Sequence, residues 1–245
     1  MKIALIGYGK MGKEIEKVAL LRGHQIVLKV DEHNASSYTD EELTQADAAI
    51  EFSTPHTAYN NILRCFKCKV PVVVGTTGWL DKIEEVKSEC LRTGNTFFYA
   101  SNYSIGVNLF FQLNKHLASL MNSYPIYTPV MEEIHHIHKK DSPSGTGITL
   151  AEGVIAELDR KTSWAEGDSK DPSVLSIHSK REGEVPGTHI IRYASPIDEI
   201  SISHIAHNRQ GFAFGAVIAA EWIQGKKGIW SMDDMLGFRN ANQSS

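Results

Sequence analysis

The sequence predicts an α/β protein, a doubly wound parallel sheet with an inserted α+β domain. Three observations predict it. Through the first half of the chain, short β runs alternate with helical stretches, the pattern of stacked βαβ units. A glycine-rich turn joins the first of these runs to the first helix. After about Tyr103 the pattern changes, and strand-like runs follow one another without helices between them, as an antiparallel or mixed sheet requires. A length of 245 residues suits one large domain or two small ones. The expected division is 1–103 plus 211–245 for the first part and 104–210 for the second.

Composition narrows the function classes. Hydrophobic residues make up 42% and charged residues 22%, which excludes disorder and collagen-like structure. The net charge is −4 without a concentrated basic face, so no nucleic-acid partner is expected. No apolar run approaches the ~20 residues that span a bilayer, so no membrane association is expected. The apolar start, Met1 to Gly7, is too short for a signal peptide and ends in glycines, which predicts a cytoplasmic protein. Three cysteines, Cys65, Cys68 and Cys90, cannot all pair with one another, and no disulfide scaffold is expected.

The elements follow in order. Lys2 to Ile6 reads as a strand, Lys10 to Leu21 as a helix ended near Gly23, Gln25 to Val30 as a second strand and Ala48 to Phe52 as a third. A helix from about Thr57 to Phe66 follows Pro55, with Thr54 as its N-cap. Val70 to Val74 is a β-branched strand ending at Gly75, Leu80 to Leu91 is helical, and Thr96 to Tyr99 is a strand. In the second part, Leu109 to Met121 is an amphipathic helix with Leu109, Leu113, Leu117 and Leu120 near one face. Tyr127 to His138 is a strand, and a helix from Thr146 to Leu158 follows the Pro143-Ser144-Gly145 turn. Residues 159–172 are polar, contain Gly167 and Pro172, and read as an exposed loop. Strand-like runs come near Val174–Ser179, Thr188–Tyr193 and Glu199–Ile205, and a last helix from about Ala213 to Gln224 stops at Gly225.

Gly7-Tyr8-Gly9-Lys10-Met11-Gly12 is a G-x-G-x-x-G between a strand and a helix, the context that makes it a dinucleotide-binding, Rossmann-type fingerprint. The first glycine permits a tight turn, the second lets backbone approach a pyrophosphate, and the third lets helix and strand pack closely. The helix N-terminus offers free N–H groups to the phosphates. Asp31 ends the second strand, 19 residues past Gly12, where a carboxylate takes the adenosine ribose hydroxyls. Asp31-Glu32-His33-Asn34 holds two acids and no Arg or Lys to receive a 2′-phosphate, so NADH is expected to be preferred over NADPH. The other strand ends, Phe52-Ser53-Thr54, Gly75-Thr76-Thr77-Gly78 and Ala100-Ser101-Asn102-Tyr103, are small and hydroxylic. They suit either a nicotinamide lining or ordinary βα turns.

The densest segment runs from Glu133 to Gly147 and places three of the 11 histidines within four residues. If the strand continues, His135 faces one side and His136 and His138 the other. Three readings are open. A metal site is disfavoured by Lys139 and Lys140, which repel a cation, and no metal is expected. A solvated edge strand is the ordinary alternative. The third is an anion site with acid/base capacity. Lys139 supplies a charge, His135 or His136 carries a proton near neutral pH, and Ser144-Gly145-Thr146 opens a helix that can hold a carboxylate. Cys65-Phe66-Lys67-Cys68 is a C-x-x-C with no second pair, and reads as helix packing rather than a redox motif.

The run Glu133-Ile134-His135-His136-Ile137-His138-Lys139-Lys140-Asp141-Ser142-Pro143-Ser144-Gly145-Thr146 resembles the E-x-H-H-x-x-K-x-D-x-P-S-G-T of the dihydrodipicolinate (4-hydroxy-tetrahydrodipicolinate) reductase family. The glycine loop, Gly75 to Gly78, Asn102 to Asn108, Arg181 to His189 and Met232 to Leu236 match as well, so the resemblance spans nearly the whole chain. It implies NADH- or NADPH-dependent reduction of a cyclic imine dicarboxylate to tetrahydrodipicolinate, in lysine and diaminopimelate biosynthesis. By this resemblance His135 is the catalytic acid/base residue and Lys139 the proton donor. His136, Ser144, Gly145, Thr146, Thr77 and Arg209 meet the substrate. Gly75 to Thr77 and Ala100 to Tyr103, with Phe52 and Ser53, line the nicotinamide side. The resemblance also implies a homotetramer built through the second domain's sheet. Ser142 and Gly147 stand where the family often has alanine, and neither changes the charge. Two other functions, a non-catalytic dinucleotide sensor and a dehydrogenase for another acid, have no need of Lys139 beside paired histidines.

Overall fold

The computed structural model describes residues 1–208 and 210–238. The chain divides into two compact units, Met1–Ile105 with Gln210–Ser245, and Gly106–Arg209.

Strand β1 (Lys2–Ile6) leads into α1 (Lys10–Leu21), and β2 (Gln25–Val30) follows. A single turn, α2 (Asp40–Leu43), is too short for periodicity to reveal. A capping box closes it, in which the Thr39 hydroxyl accepts the Glu42 N–H and the Glu42 carboxylate accepts the Thr39 N–H. Next come β3 (Ala48–Glu51) and α3 (Pro55–Lys67), with Thr54 at its N-cap. Then follow β4 (Val72–Val74), a 3-10 turn (Leu80–Lys82) into α4 (Ile83–Thr93), and β5 (Thr96–Tyr99). Beyond them lie α5 (Ile105–Asn122), β6 (Thr128–His135), α6 (Gly145–Glu157), β7 (Ser163–Glu166), β8 (Val174–Arg181), β9 (Gly187–Ala194) and β10 (Glu199–Ala206). The chain then returns through α7 (Gln210–Trp222), β11 (Gly228–Trp230) and α8 (Met232–Met235).

The first unit is the predicted doubly wound sheet. Its six strands, in the order β11-β5-β4-β3-β1-β2, are all parallel. Alternation along each strand feeds two cores. Ala4, Ile6 and Ala49 pack with α3 and α4, while Ile3, Leu5 and Ile50 pack with α1 and α7. Strand order reverses around β1, which has β2 on one side and β3 on the other. Such a switch point opens a crevice at the carboxyl ends of the strands, where ligands bind.

The second unit is a mixed sheet, β10-β9-β6-β8-β7, with β6 antiparallel to β9 and parallel to β8. Phe110 and Leu117 from α5 and Leu150 and Val154 from α6 pack onto Met131, Ile177, Ile191 and Tyr193.

Three expectations are corrected. The leucine stripe of α5 is not its buried face: Leu109, Leu113 and Leu120 are about half exposed, and only Leu117 is buried. The buried face carries Val107, Phe110, Asn114, Leu117, Ala118 and Met121. Asn114 disguises this stripe because its polar amide donates to the Leu150 carbonyl inside the core. The strand expected to reach His138 ends at His135. Residues 159–172 are not all loop, because β7 pairs in parallel with the edge of β8. That strand shows no alternation, since only Trp164 and Ala165 are half-buried.

In the first unit, α7 packs backbone against backbone: a Cβ on Gly215 would stand 1.7 Å from the Tyr103 carbonyl oxygen. Gly215→Ala is therefore expected to destabilise the protein by about 1–3 kcal/mol or more in urea unfolding. An unchanged midpoint would contradict this packing.

Candidate active site

The dinucleotide half lies in the first unit. Gly7, with φ +100°, has its N–H on the Val30 carbonyl, and a Cβ there would stand 2.1 Å from the Phe52 carbonyl oxygen. A Cβ on Gly12 would stand 2.5 Å from the Gly7 carbonyl oxygen. Gly9, the N-cap of α1, has no atom within 4 Å of that position, so backbone lies open where a pyrophosphate would approach. Lys10 is exposed beside it, and Met11 is half-buried. The Tyr8 hydroxyl donates to Glu16, which also pairs with Lys29 at 2.6 Å, so the loop's one aromatic ring is tethered. Asp31 stands at the end of β2, and one of its carboxylate oxygens accepts the His33 N–H at 2.9 Å. The residues present therefore fit a dinucleotide.

The strand ends sort into exposed and internal groups. Thr77 and Ser101 are exposed, and Phe52 and Asn102 are half-buried. The Phe52 ring fills the space above Gly75, where a Cβ would stand 2.1 Å from it, and lies 5.6 Å from the Tyr103 ring. Thr76, Ala100 and Tyr103 are buried, and the Tyr103 hydroxyl donates to the Val74 carbonyl. Ser53 turns inward. Its N–H donates to the Thr76 hydroxyl at 2.8 Å, and its hydroxyl donates to Glu51. Glu51 is fully buried, and burial pushes its carboxyl above the usual range against the opposing pull of the polar groups of Ser53, Thr76 and Asn61.

The second unit holds the histidines. Alternation along β6 places Glu133 and His135 on the same buried face, and the register sets His189 of β9 opposite Glu133. Both Glu133 oxygens are approached. Oε1 is 3.8 Å from His135 Nδ1 and 3.6 Å from the Arg181 guanidinium, and Oε2 is 3.7 Å from His189 Nε2. Ser144, the N-cap of α6, donates its N–H at 3.0 Å and its hydroxyl at 2.5 Å to the same carboxylate. Burial opposes the charge, but His189, Ser144 and His135 outweigh it and hold the Glu133 carboxyl at about 2. Burial pushes His135 down to about 4, with His189, Lys139 and Arg181 acting the same way and Glu133 opposing. His135 is therefore neutral at neutral pH.

Beyond β6 the chain turns. Lys139 Nζ lies 2.8 Å from both Asp141 oxygens and keeps about a fifth of its side chain exposed. The Arg181 guanidinium donates to the Asp141 carbonyl at 2.6 Å, which ties this turn to β8. His136 is half-buried just past the end of β6. At the start of α6, Gly145 is exposed and Thr146 half-buried, whereas Ser144 is turned inward onto Glu133. Arg209 lies outside the described residues. Glu133, His135 and His189 offer three ligand atoms within 4.8 Å of one another, but the Arg181 cation and the Ser144 donors already occupy the carboxylate.

Residues 1–103 match the family model for the dihydrodipicolinate reductase N-terminus, and residues 106–236 match that for its C-terminus. The chain belongs to the dihydrodipicolinate reductase family. Within that family, the 4-hydroxy-tetrahydrodipicolinate reductase of Christiangramia forsetii is 46% identical over 98% of this chain and 100% of its own length. The enzyme of the same name from Neisseria gonorrhoeae is 33% identical over 92% of this chain and 85% of its own. A dipicolinate-bound dihydrodipicolinate reductase from Paenisporosarcina sp. TG-14 has the same fold, with a TM-score of 0.74 at 20% identity, covering 96% of this chain and 98% of that one. An amine dehydrogenase from Mycobacterium smegmatis, with a TM-score of 0.57 at 11% identity over 94% of each chain, shows that the fold reaches past this family. Dihydrodipicolinate reductases carry out a pyridine-nucleotide-dependent reduction.

Glu133, His189, Arg181 and Asp141 complete the cluster without having been assigned roles from the sequence. The period-two spacing of Glu133 and His135 was the available signal. Glu51 and Asn61 had none, because Asn61 reaches back to Glu51 and Ser53 from within α3.

Two outcomes follow from this cluster. Ser144→Ala removes an N-cap and a buried donor, and is expected to cost about 1–2 kcal/mol in urea unfolding. Acid also acts on it. A neutral buried His135 loses stability as pH falls from its ordinary 6.5 toward about 4, worth about 3 kcal/mol. Ionised Glu133 adds a loss as pH falls from 4.5 toward about 2. Urea midpoints measured across this range should fall less steeply for His135→Gln than for the wild type; equal slopes would contradict the assignment.

Proposed function

We propose that the chain reduces 4-hydroxy-tetrahydrodipicolinate (dihydrodipicolinate) to tetrahydrodipicolinate with a pyridine nucleotide, in lysine and diaminopimelate biosynthesis. The observation that carries this reading is the 46% identity to a reductase of that name over nearly the whole chain. The planar dicarboxylate bound in the Paenisporosarcina structure agrees with the substrate class.

The first unit takes the dinucleotide. Gly7, Tyr8, Gly9, Lys10, Met11 and Gly12 surround the pyrophosphate, and Asp31 takes the adenosine ribose. Phe52, Gly75, Thr77, Ala100, Ser101 and Asn102 flank the nicotinamide, with Ser53, Thr76 and Tyr103 supporting them from within. When bound, the reduced nicotinamide supplies a hydride. The acids around Asp31 favour NADH, since a 2′-phosphate meets repulsion there and Lys29 is already paired with Glu16.

The second unit takes the substrate. Gly145 and Thr146 present the α6 N-terminus to a carboxylate, with His136 as a further contact and Ser144 holding the helix start in place. Reduction adds a hydride to one unsaturated ring carbon and a proton to its electron-rich neighbour. Lys139 Nζ is the ammonium placed to deliver that proton, and Asp141 orients it. Neutral His135, within the field of the Lys139 charge, offers a ring nitrogen, and an arriving dianion favours the histidine's charged form. We assign the oligomer, a homotetramer, to the second unit's sheet. Its edge strand β10 turns Ile200 and Ile205 to solvent in the single chain.

Three outcomes test this reading. With freshly prepared substrate, Lys139→Ala and His135→Ala should lower kcat by about 10²–10⁴-fold while NADH still binds; undiminished turnover in both would refute the roles. Thr146→Val should raise KM more than it lowers kcat, and the reverse would contradict a binding role. The wild type should use NADH with a higher kcat/KM than NADPH, and the opposite ratio would overturn the Asp31 argument.

A further inference from the structure

Glu51 ends β3 in the interior of the parallel sheet and is fully buried, yet no step above uses it. A carboxyl at that depth is costly unless its oxygens are bonded. Here one oxygen collects every partner. Oε1 accepts the Ser53 N–H at 3.2 Å, the Ser53 hydroxyl, and the Asn61 amide at 3.3 Å. Oε2 is buried with no hydrogen-bond partner. The Ser53 N–H is shared with the Thr76 hydroxyl at 2.8 Å, and the Asn61 amide also reaches Ser53 Oγ at 3.1 Å. The Glu51 carbonyl meanwhile accepts the Gly75 N–H at 2.9 Å. One residue thus gathers the turn after β3, the turn after β4 and the flank of α3.

We infer that Glu51 is a positioning residue for the dinucleotide: its Oε1 fixes the Ser53–Thr76 pair, and with it the two turns that flank the nicotinamide. The inference rests on the cofactor reading above. The arrangement needs one acceptor oxygen and no charge, because the second oxygen meets neither a donor nor a cation. Glutamine supplies the same acceptor in the same place. Leucine fills the volume without it.

The test measures NADH affinity by fluorescence, and KM for the dicarboxylate in parallel, on the full chain. Glu51→Gln should bind NADH within about threefold of the wild type, and Glu51→Leu about tenfold more weakly, with the dicarboxylate KM unchanged in both. Asn61→Leu removes a donor to both Glu51 and Ser53 from outside the turns, and should weaken NADH by about threefold. It decides the matter where Glu51→Leu does not fold. A folded Glu51→Leu, or in its absence Asn61→Leu, with wild-type NADH affinity overturns the inference. So does a Glu51→Gln protein that binds as weakly as the leucine variant, because that result would assign the effect to charge. A wild-type protein that does not bind NADH overturns the cofactor reading instead.

Discussion

The second unit depends on one buried ionised carboxylate. Glu133 is about 1% exposed, and its two oxygens face two histidines, an arginine and both donors of Ser144. Those groups come from β6, β9, β8 and the start of α6. Removing one partner of such a cluster leaves the others buried and unpaired, which costs more than the pairing itself contributes. The carboxylate therefore fixes where α6 begins. It also lies beside His135, which burial keeps neutral while the Lys139 ammonium stays near the surface.

The first unit repeats the device with a second buried carboxyl. Glu51 turns Ser53 inward much as Glu133 turns Ser144 inward. In each unit a serine braces a turn from within through a buried carboxyl. Under the proposed function the ligand-facing positions carry little side chain: Gly9 in one unit, Gly145 and Thr146 in the other. Backbone N–H groups and small side chains held from below can meet an anion without reorganising, which is what favours such turns at reacting centres.

Much of this was legible in the sequence. The parallel sheet followed from alternating runs, and the glycine loop from its place between β1 and α1, because both signals are local. The reductase family was legible in the segment from Glu133 to Thr146. What sequence could not show came from pairing across the chain. Leu109, Leu113 and Leu120 look like a core face, but Asn114 lies on the buried one because Leu150 supplies a carbonyl there. His189 joins the site through register with Glu133, and Arg181 through β8, neither of which has a local signature. Strand β7 shows no alternation because it borrows its order from β8.

The measurement that bears most directly on this account is steady-state turnover of Glu133→Gln, with NADH affinity measured alongside. The variant keeps the size and loses the charge that holds His189, Ser144 and Arg181. A large loss of kcat/KM for the dicarboxylate with NADH affinity unchanged is the predicted result. Wild-type turnover in a folded Glu133→Gln protein would contradict the claim that this carboxylate organises the site.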